Sequence, residues 1–253
     1  MEDIKKQIDI RERLILALDV DDVVLAYNLI EKLAPYIKFY KLGLQLITKD
    51  GPRMVMTLRR KGLKIFYDAK FFDIPQTVYN ASYEAARLGV NMINVHALGG
   101  EKMIGYAREA IEKAAEKMQI ERPLLLAVTI LTSMDNKDLK ENLKCNYDVK
   151  KMVLTLTKKA KDAGADGIIC SPNELKLLRK EFGDDIIIVT PGIRIKKIKK
   201  DDQKRVLTPK EAIKDGADYI VVGRPVLQAE DRLEVIENIF NEIKAGEQCR
   251  KKK

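Results

Sequence analysis

Eight short, nearly continuous apolar runs punctuate the chain: LILALDV, IKFYKLG, LKIFYDA, MINVHA, LLLAVTIL, GIICS, IIIVTPG and YIVVGRP. Amphipathic stretches long enough for crossover helices separate them. Strands covered on both faces read this way, because neither face has to be polar, so the pattern predicts a parallel α/β protein. Gly62, Gly89, Gly164 and Gly216 fall just past helical stretches, where C-terminal caps belong.

Eight strand–helix units in 253 residues can close into a barrel or lie open as a doubly wound sheet. The strand ends favour closure. Asp19, Lys41, Asp68, His96, Thr129, Ser171, Thr190 and Gly223 are polar residues or glycine, and in a (β/α)8 barrel all of these ends converge on the face that carries the active site. We therefore expect a single α/β domain, a (β/α)8 barrel over 1–253, with 1–13 as an N-terminal extension and 245–253 as a basic tail. The gaps without clear periodicity, 132–146 and 193–207, have the length of lids.

Composition narrows the function classes. A chain that is 46% hydrophobic and 34% charged is neither disordered nor fibrous. It has no apolar run of about 20 residues, and its start, MEDIKKQIDIRER, lacks the apolar core of a secretory signal, so we expect no membrane contact and a cytoplasmic location. Cys145, Cys170 and Cys249 lack the paired spacings of a zinc site, and no glycine-rich dinucleotide fingerprint follows the first strand. We expect neither metal nor cofactor. The net charge of +9 lies largely in lysine runs such as 196–200 and 250–253, and aromatic residues do not interleave with them. These are solvated faces, and no nucleic-acid partner is expected.

The third run ends in Tyr67-Asp68-Ala69-Lys70-Phe71-Phe72-Asp73-Ile74-Pro75. If the chain stays extended, Asp68 and Lys70 share a face, and with Asp73 two carboxylates flank an ammonium and keep it protonated, as a proton donor at neutral pH must be. Alternation also sets Ile15, Ala17 and Asp19 on one face of the first strand and Ile37, Phe39 and Lys41 on one face of the second. A plainer reading makes Asp19 and Asp73 caps of their own helices and lets Lys41 extend out of the barrel end. Gly223-Arg224-Pro225 reads as a glycine turn opening a helix, which suits a phosphate. Thr190-Pro191-Gly192-Ile193-Arg194 ends the seventh strand and leads into a basic segment containing Gln203; Arg194 is either solvated or a ligand contact. His96, the sole histidine, is read as a packed rim residue.

As an ordered set these blocks, together with Lys41-Leu42-Gly43, Ile74-Pro75-Gln76-Thr77, Leu131-Thr132-Ser133, Asp202-Gln203-Lys204-Arg205 and Val222-Gly223-Arg224-Pro225, resemble the orotidine 5'-phosphate decarboxylase family almost end to end. The resemblance implies a cofactor-free carboxy-lyase that turns orotidine 5'-monophosphate into UMP and CO2 in pyrimidine biosynthesis. It implies that Lys70 is the proton donor to C6 and that Asp68 lies against the substrate carboxylate. Asp19 and Lys41 hold the ribose and the charge network, and Thr132 contacts the pyrimidine. Pro191, Arg194, Gln203, Gly223 and Arg224 belong to the substrate site, the last four around the phosphate. Asp73, Ile74 and Thr77 reach into the neighbouring subunit's site of a homodimer. A rival resemblance, to metal-dependent barrels such as keto-gulonate phosphate decarboxylases and hexulose phosphate synthases, shares Asp-x-Lys-x-x-Asp. Those proteins carry a metal-binding carboxylate at the end of strand two, where Lys41 would repel magnesium. A scaffold or RNA-binding barrel has only the charge of +9 in its favour.

Overall fold

All eight apolar runs form strands: β1 (Leu14–Ala17), β2 (Phe39–Gly43), β3 (Lys64–Phe71), β4 (Met92–His96), β5 (Leu124–Val128), β6 (Gly167–Ile169), β7 (Ile187–Thr190) and β8 (Tyr219–Val222). In the computed structural model, which describes residues 8–195 and 207–251, they pair in parallel in chain order, and β8 closes on β1. The helices are α1 (Ile10–Arg13), α2 (Val23–Leu33), α3 (Leu44–Arg60), α4 (Pro75–Arg87), α5 (Gly100–Met118), α6 (Asn136–Glu141), α7 (Val149–Asp162), α8 (Leu175–Phe182), α9 (Pro209–Asp215), α10 (Arg224–Leu227) and α11 (Arg232–Lys251). The glycines expected to end helices do so at positive φ, 69° at Gly62 and 117° at Gly216, a conformation in which a Cβ would be strained.

Strand alternation sorts the apolar residues into two cores. Ile15, Ala17, Phe39, Phe66, Met92, Leu126, Val189, Tyr219 and Val221 fill the barrel interior, where the Phe39 and Tyr219 rings meet edge to face at 6.0 Å. Leu14, Leu16, Tyr40, Leu42, Ile65 and Ile93 point outward into the larger core beneath the helices. Ile37 belongs to this outer core rather than to the interior with Phe39 and Lys41, because β2 begins only at Phe39 and the alternation does not extend back to Ile37. Ile8, in the N-terminal extension, packs against the interior cluster. The segment 245–251 continues α11, and Arg250 pairs there with Asp184 and Asp218.

The gap 132–146 is not structureless. It contains α6, whose start is fixed by a reciprocal capping box between Asp135 and Asp138, an aspartate version of the Ser/Thr…Glu signature.

A short motif recurs three times at the face where strands begin: Gly89-Val90-Asn91, Gly164-Ala165-Asp166 and Gly216-Ala217-Asp218. In each, the third residue clamps the start of the preceding strand. Asn91 takes the Ile65 N–H at 2.9 Å, Asp166 the Leu125 N–H at 2.8 Å and Asp218 the Ile188 N–H at 2.9 Å. The backbone N–H of each clamp residue donates back to the same strand residue's carbonyl. An arginine covers each glycine turn, donating to the carbonyls of Leu88, Gly164 and Gly216 from Arg59, Arg108 and Arg179.

Asp166 is the most heavily used clamp. Burial pushes its carboxyl up, but Arg122, the Leu125 N–H and Arg108 together hold it below the usual carboxylate range. Arg122 and Arg108 approach it at 2.7 and 2.9 Å. A depressed carboxyl contributes stability that is present above the unfolded value of about 3.9 and is lost as pH falls through the folded value. Asp166→Ala should therefore cost about 3 kcal/mol at neutral pH by leaving two guanidinium groups and a backbone N–H without their acceptor. In urea melts the gap between wild type and variant should narrow below about pH 4; equal midpoints at pH 7 would contradict this account.

Candidate active site

The interior alternation that places Ile15, Phe39 and Phe66 in the core turns polar one step nearer the C-terminal ends of the strands. Asp19, Lys41 and Asp68 meet there with Lys70. Lys41 Nζ lies 2.9 Å from Asp19 Oδ1 and 3.2 Å from Asp68 Oδ2, and Lys70 Nζ lies 2.6 Å from Asp68 Oδ1. The result is a chain of alternating charge across β1, β2 and β3. Its middle members, Lys41 and Asp68, are buried, while Asp19 and Lys70 at its ends reach solvent. Burial alone would lower the Lys41 pKa, but the Asp68 and Asp19 carboxylates outweigh it and hold the ammonium above its ordinary value. Gly43 leaves room for the pair, since a Cβ there would stand 3.2 Å from both Asp19 Oδ1 and Lys41 Nζ.

These contacts settle two alternatives. Lys41 does not extend out of the barrel. Asp19 does not cap α2; Asp22 does, accepting the Leu25 N–H at 2.6 Å.

The chain does not stay extended through Asp68 and Lys70. Against β4 the pairing runs Phe66 to Met92 and Tyr67 to Ile93, then resumes at Phe71 to Val95. Asp68, Ala69 and Lys70 thus bulge opposite Asn94, and Lys70 adopts φ 49°. A left-handed non-glycine residue within a strand is strained. The bulge re-aims Lys70 toward Asp68, so the two side chains meet for a different reason than alternation.

Asn94 escaped the sequence reading. It is fully buried on the inward face of β4, accepts the Lys70 N–H at 2.7 Å and donates through Nδ2 to Asp68 Oδ1 at 2.7 Å. The signal was an amide at inward parity within the apolar run MINVHA.

Asp73, Ile74 and Thr77 stand apart from this cluster. All three are exposed, and among the described residues Asp73 forms no ion pair; its carboxylate accepts the Ile74 N–H at 2.6 Å. Asp73 therefore does not flank Lys70 within its own chain. Nor is it the N-cap of α4: Ile74 holds that position, with Pro75 following.

At the end of β8, which pairs with β1, Gly223 abuts Asp19: a Cβ on Gly223 would lie 3.6 Å from Asp19 Oδ2. Arg224 opens α10 and is exposed. Arg194 is buried rather than solvated, and its backbone N–H donates to the Leu207 carbonyl at 3.0 Å beside the Ile193–Leu207 bridge. Pro191 precedes Gly192, which has φ 81°. Thr132 lies in the turn after β5, half-buried. Strand direction brings Thr132, Pro191 and Arg194 to the same face as the charge chain. Gln203 and most of the expected 193–207 lid lie outside the described residues.

His96 ends β4, with its ring 5.5 Å from Phe72, and accepts the Leu98 N–H through Nδ1 at 3.4 Å. Burial lowers its pKa, and the Lys70 charge lowers it further. As the only histidine it gives one imidazole titration by NMR. Its midpoint should lie below the ordinary value of about 6.5 and should rise when Lys70→Ala removes the nearby charge. A midpoint at or above the ordinary value would contradict the half-buried placement near Lys70.

The family model for "Orotidine 5'-phosphate decarboxylase / HUMPS family" matches residues 12–239. A curated relative from Geotalea daltonii named "Orotidine 5'-phosphate decarboxylase" is 44% identical over 236 residues, covering 93% of this chain and 98% of that protein. One of the same name from Pelobacter propionicus is 42% identical, covering 93% and 97%. Among solved structures, the orotidine 5'-phosphate decarboxylase of Lactobacillus acidophilus superposes with a TM-score of 0.81 at 39% identity, covering 91% of this chain and 98% of that one.

Proposed function

This chain belongs to the orotidine 5'-phosphate decarboxylase / HUMPS family, and from that premise we propose that it converts orotidine 5'-monophosphate to UMP and CO2, with Lys70 as the proton donor. One observation carries the reading: an ammonium held at the barrel mouth by a buried carboxylate, in the chain Asp19–Lys41–Asp68–Lys70. Breaking the C6–carboxylate bond leaves an electron pair in an in-plane orbital at C6, with no adjacent group to delocalise it. A fixed cation at that carbon stabilises the charge as it forms and then delivers its proton to C6, which balances the loss of CO2. Asp68, facing the departing carboxylate, favours its exit as neutral CO2.

The same chain speaks against a metal-dependent member of the family. Where the metal-dependent relatives carry a carboxylate, at the end of β2, this chain carries Lys41, whose Nζ lies between Asp19 and Asp68, and an ammonium there would repel a divalent ion. Gly223 and Arg224 at the start of α10, together with the buried Arg194, support binding of the substrate phosphate, with Gln203 joining from the 193–207 segment. Phosphate is remote from the bond that breaks, so its binding energy serves orientation and desolvation rather than the chemistry itself. Thr132 is the contact to the pyrimidine, and Pro191 belongs to the substrate site.

Loss of orotidylate absorbance on adding the purified protein, undiminished by EDTA, is the expected result. Lys70→Ala should fold and lose several orders of magnitude in turnover, since donor and stabilising cation go together. Near-normal turnover in that variant would overturn the mechanism, and EDTA-sensitive activity would favour the metal-dependent rival.

Asp73, Ile74 and Thr77 are read as contributions to the partner's site in a homodimer. Their exposure, together with that of Phe72 at 60%, supports this reading. Inactive Lys70→Ala and Asp73→Ala chains, unfolded and refolded together, test it. With Asp73 acting across the interface, each mixed dimer holds one intact site, so roughly a quarter of all sites regain activity. A mixture no more active than its parents, with subunit exchange verified, would refute the shared site and leave the decarboxylase reading intact.

A further inference from the structure

We infer that Asn94 is a positioning residue for the reaction, one that aims both Lys70 and Asp68 without touching substrate. The inference rests on the decarboxylase reading. It starts from the bulge, where three residues of β3 face one of β4 and the ladder cannot supply every backbone group with a partner. Lys70 is where the shortfall and the strain coincide: its φ is 49°, and its N–H reaches the Asn94 side chain at 2.7 Å instead of a backbone carbonyl.

The second half of the amide does different work. Nδ2 donates to Asp68 Oδ1 at 2.7 Å, the same oxygen that receives Lys70 Nζ at 2.6 Å, while Lys41 Nζ takes Oδ2 at 3.2 Å. Both oxygens of Asp68 are thereby engaged and its plane is fixed. The orientation of the amide follows from its partners, since a backbone N–H needs an acceptor and a carboxylate needs a donor. A single buried side chain therefore sets the backbone of the proton donor and the orientation of the carboxylate beside it. An apolar residue of similar size fills the space but performs neither task, and aspartate keeps the acceptor while losing the donor. A misplacement of about 1 Å at such a site costs on the order of a hundredfold in rate.

Asn94→Asp makes the test specific. Asp68 and Lys70 of β3 contact this position and the apolar Leu126 of β5 pairs with it, while Lys41 of β2 and Asp19 at the end of β1 follow Asp68 along the charge chain and His96 lies two residues on along β4. Ionised, the substituted carboxyl repels Asp68. Protonated, it resembles the amide, with its carbonyl accepting the Lys70 N–H and its O–H donating to Asp68. We expect kcat for orotidylate to fall about a hundredfold near neutral pH with little change in KM, and to recover relative to wild type toward about pH 5. Asn94→Ala should lose kcat by a similar factor at every pH.

A well-folded Asn94→Ala protein with wild-type kcat overturns the inference, as does an Asn94→Asp protein that matches wild type at every pH. So does an Asn94→Asp protein whose deficit is the same at all pH values, because a packing role has no reason to track a proton. Should both variants fold poorly, hydrogen exchange on the wild type decides the matter. Slow exchange of the Lys70 amide, comparable to ladder amides of β3, supports the role, and rapid exchange refutes it. If the wild type leaves orotidylate unchanged, the functional reading fails instead, which keeps the two failures distinct.

Discussion

The mouth of the barrel is organised by the burial of Lys41 against Asp68. Charges withdrawn from water persist only where partners replace the lost hydration, and removing one member of such a pair strands the other. Lys41 answers to two carboxylates and Asp68 to two ammonium groups, so the charge cannot end inside the protein. It ends at Asp19 and Lys70, where solvent or a ligand can reach. Lys70 is thus the outer terminus of a network whose stability is secured deeper in the barrel.

The two faces of the barrel handle polar groups in opposite ways. Where the strands begin, Asn91, Asp166 and Asp218 satisfy backbone groups reciprocally, and arginines close over the glycine turns. Where the strands end, a lysine occupies left-handed backbone in a bulge. Strain of that kind survives only when its surroundings over-determine it. The regular lower face and the satisfied network above it supply that rigidity.

Much of this was legible because burial on both faces leaves an unmistakable apolar run, and because alternation projects Asp19 and Lys41 inward from those runs. The DxKxxD block was readable as chemistry, whereas its geometry was not. Alternation presumes an unbroken ladder, and nothing local announces that Asp68, Ala69 and Lys70 bulge opposite Asn94. The amide at position 94 was passed over because a polar residue within an apolar strand has meaning only once its neighbour across the ladder is known. For α6 the difficulty was local: six residues are too few to establish a helical period, and an aspartate stood at both corners of its capping box. Asp73 was mistaken for a flanking partner of Lys70 within one chain because proximity in sequence does not specify the direction in which a turn leaves the barrel.

The recurring clamps carry a kinetic consequence. Each ties neighbouring strands whose bonded residues lie 26, 41 or 30 positions apart, so β3–β4, β5–β6 and β7–β8 form from comparatively local contacts. The seam between β1 and β8 is different in kind: Arg13 reaches the Asp218 carbonyl across 205 positions. Loop-closure entropy places such a contact late in assembly. Asp19 and Gly223 face each other over this seam, so the site is completed only by the final act of barrel closure. During refolding, secondary structure should accordingly return before turnover does; activity that reappeared in step with strand pairing would contradict that order.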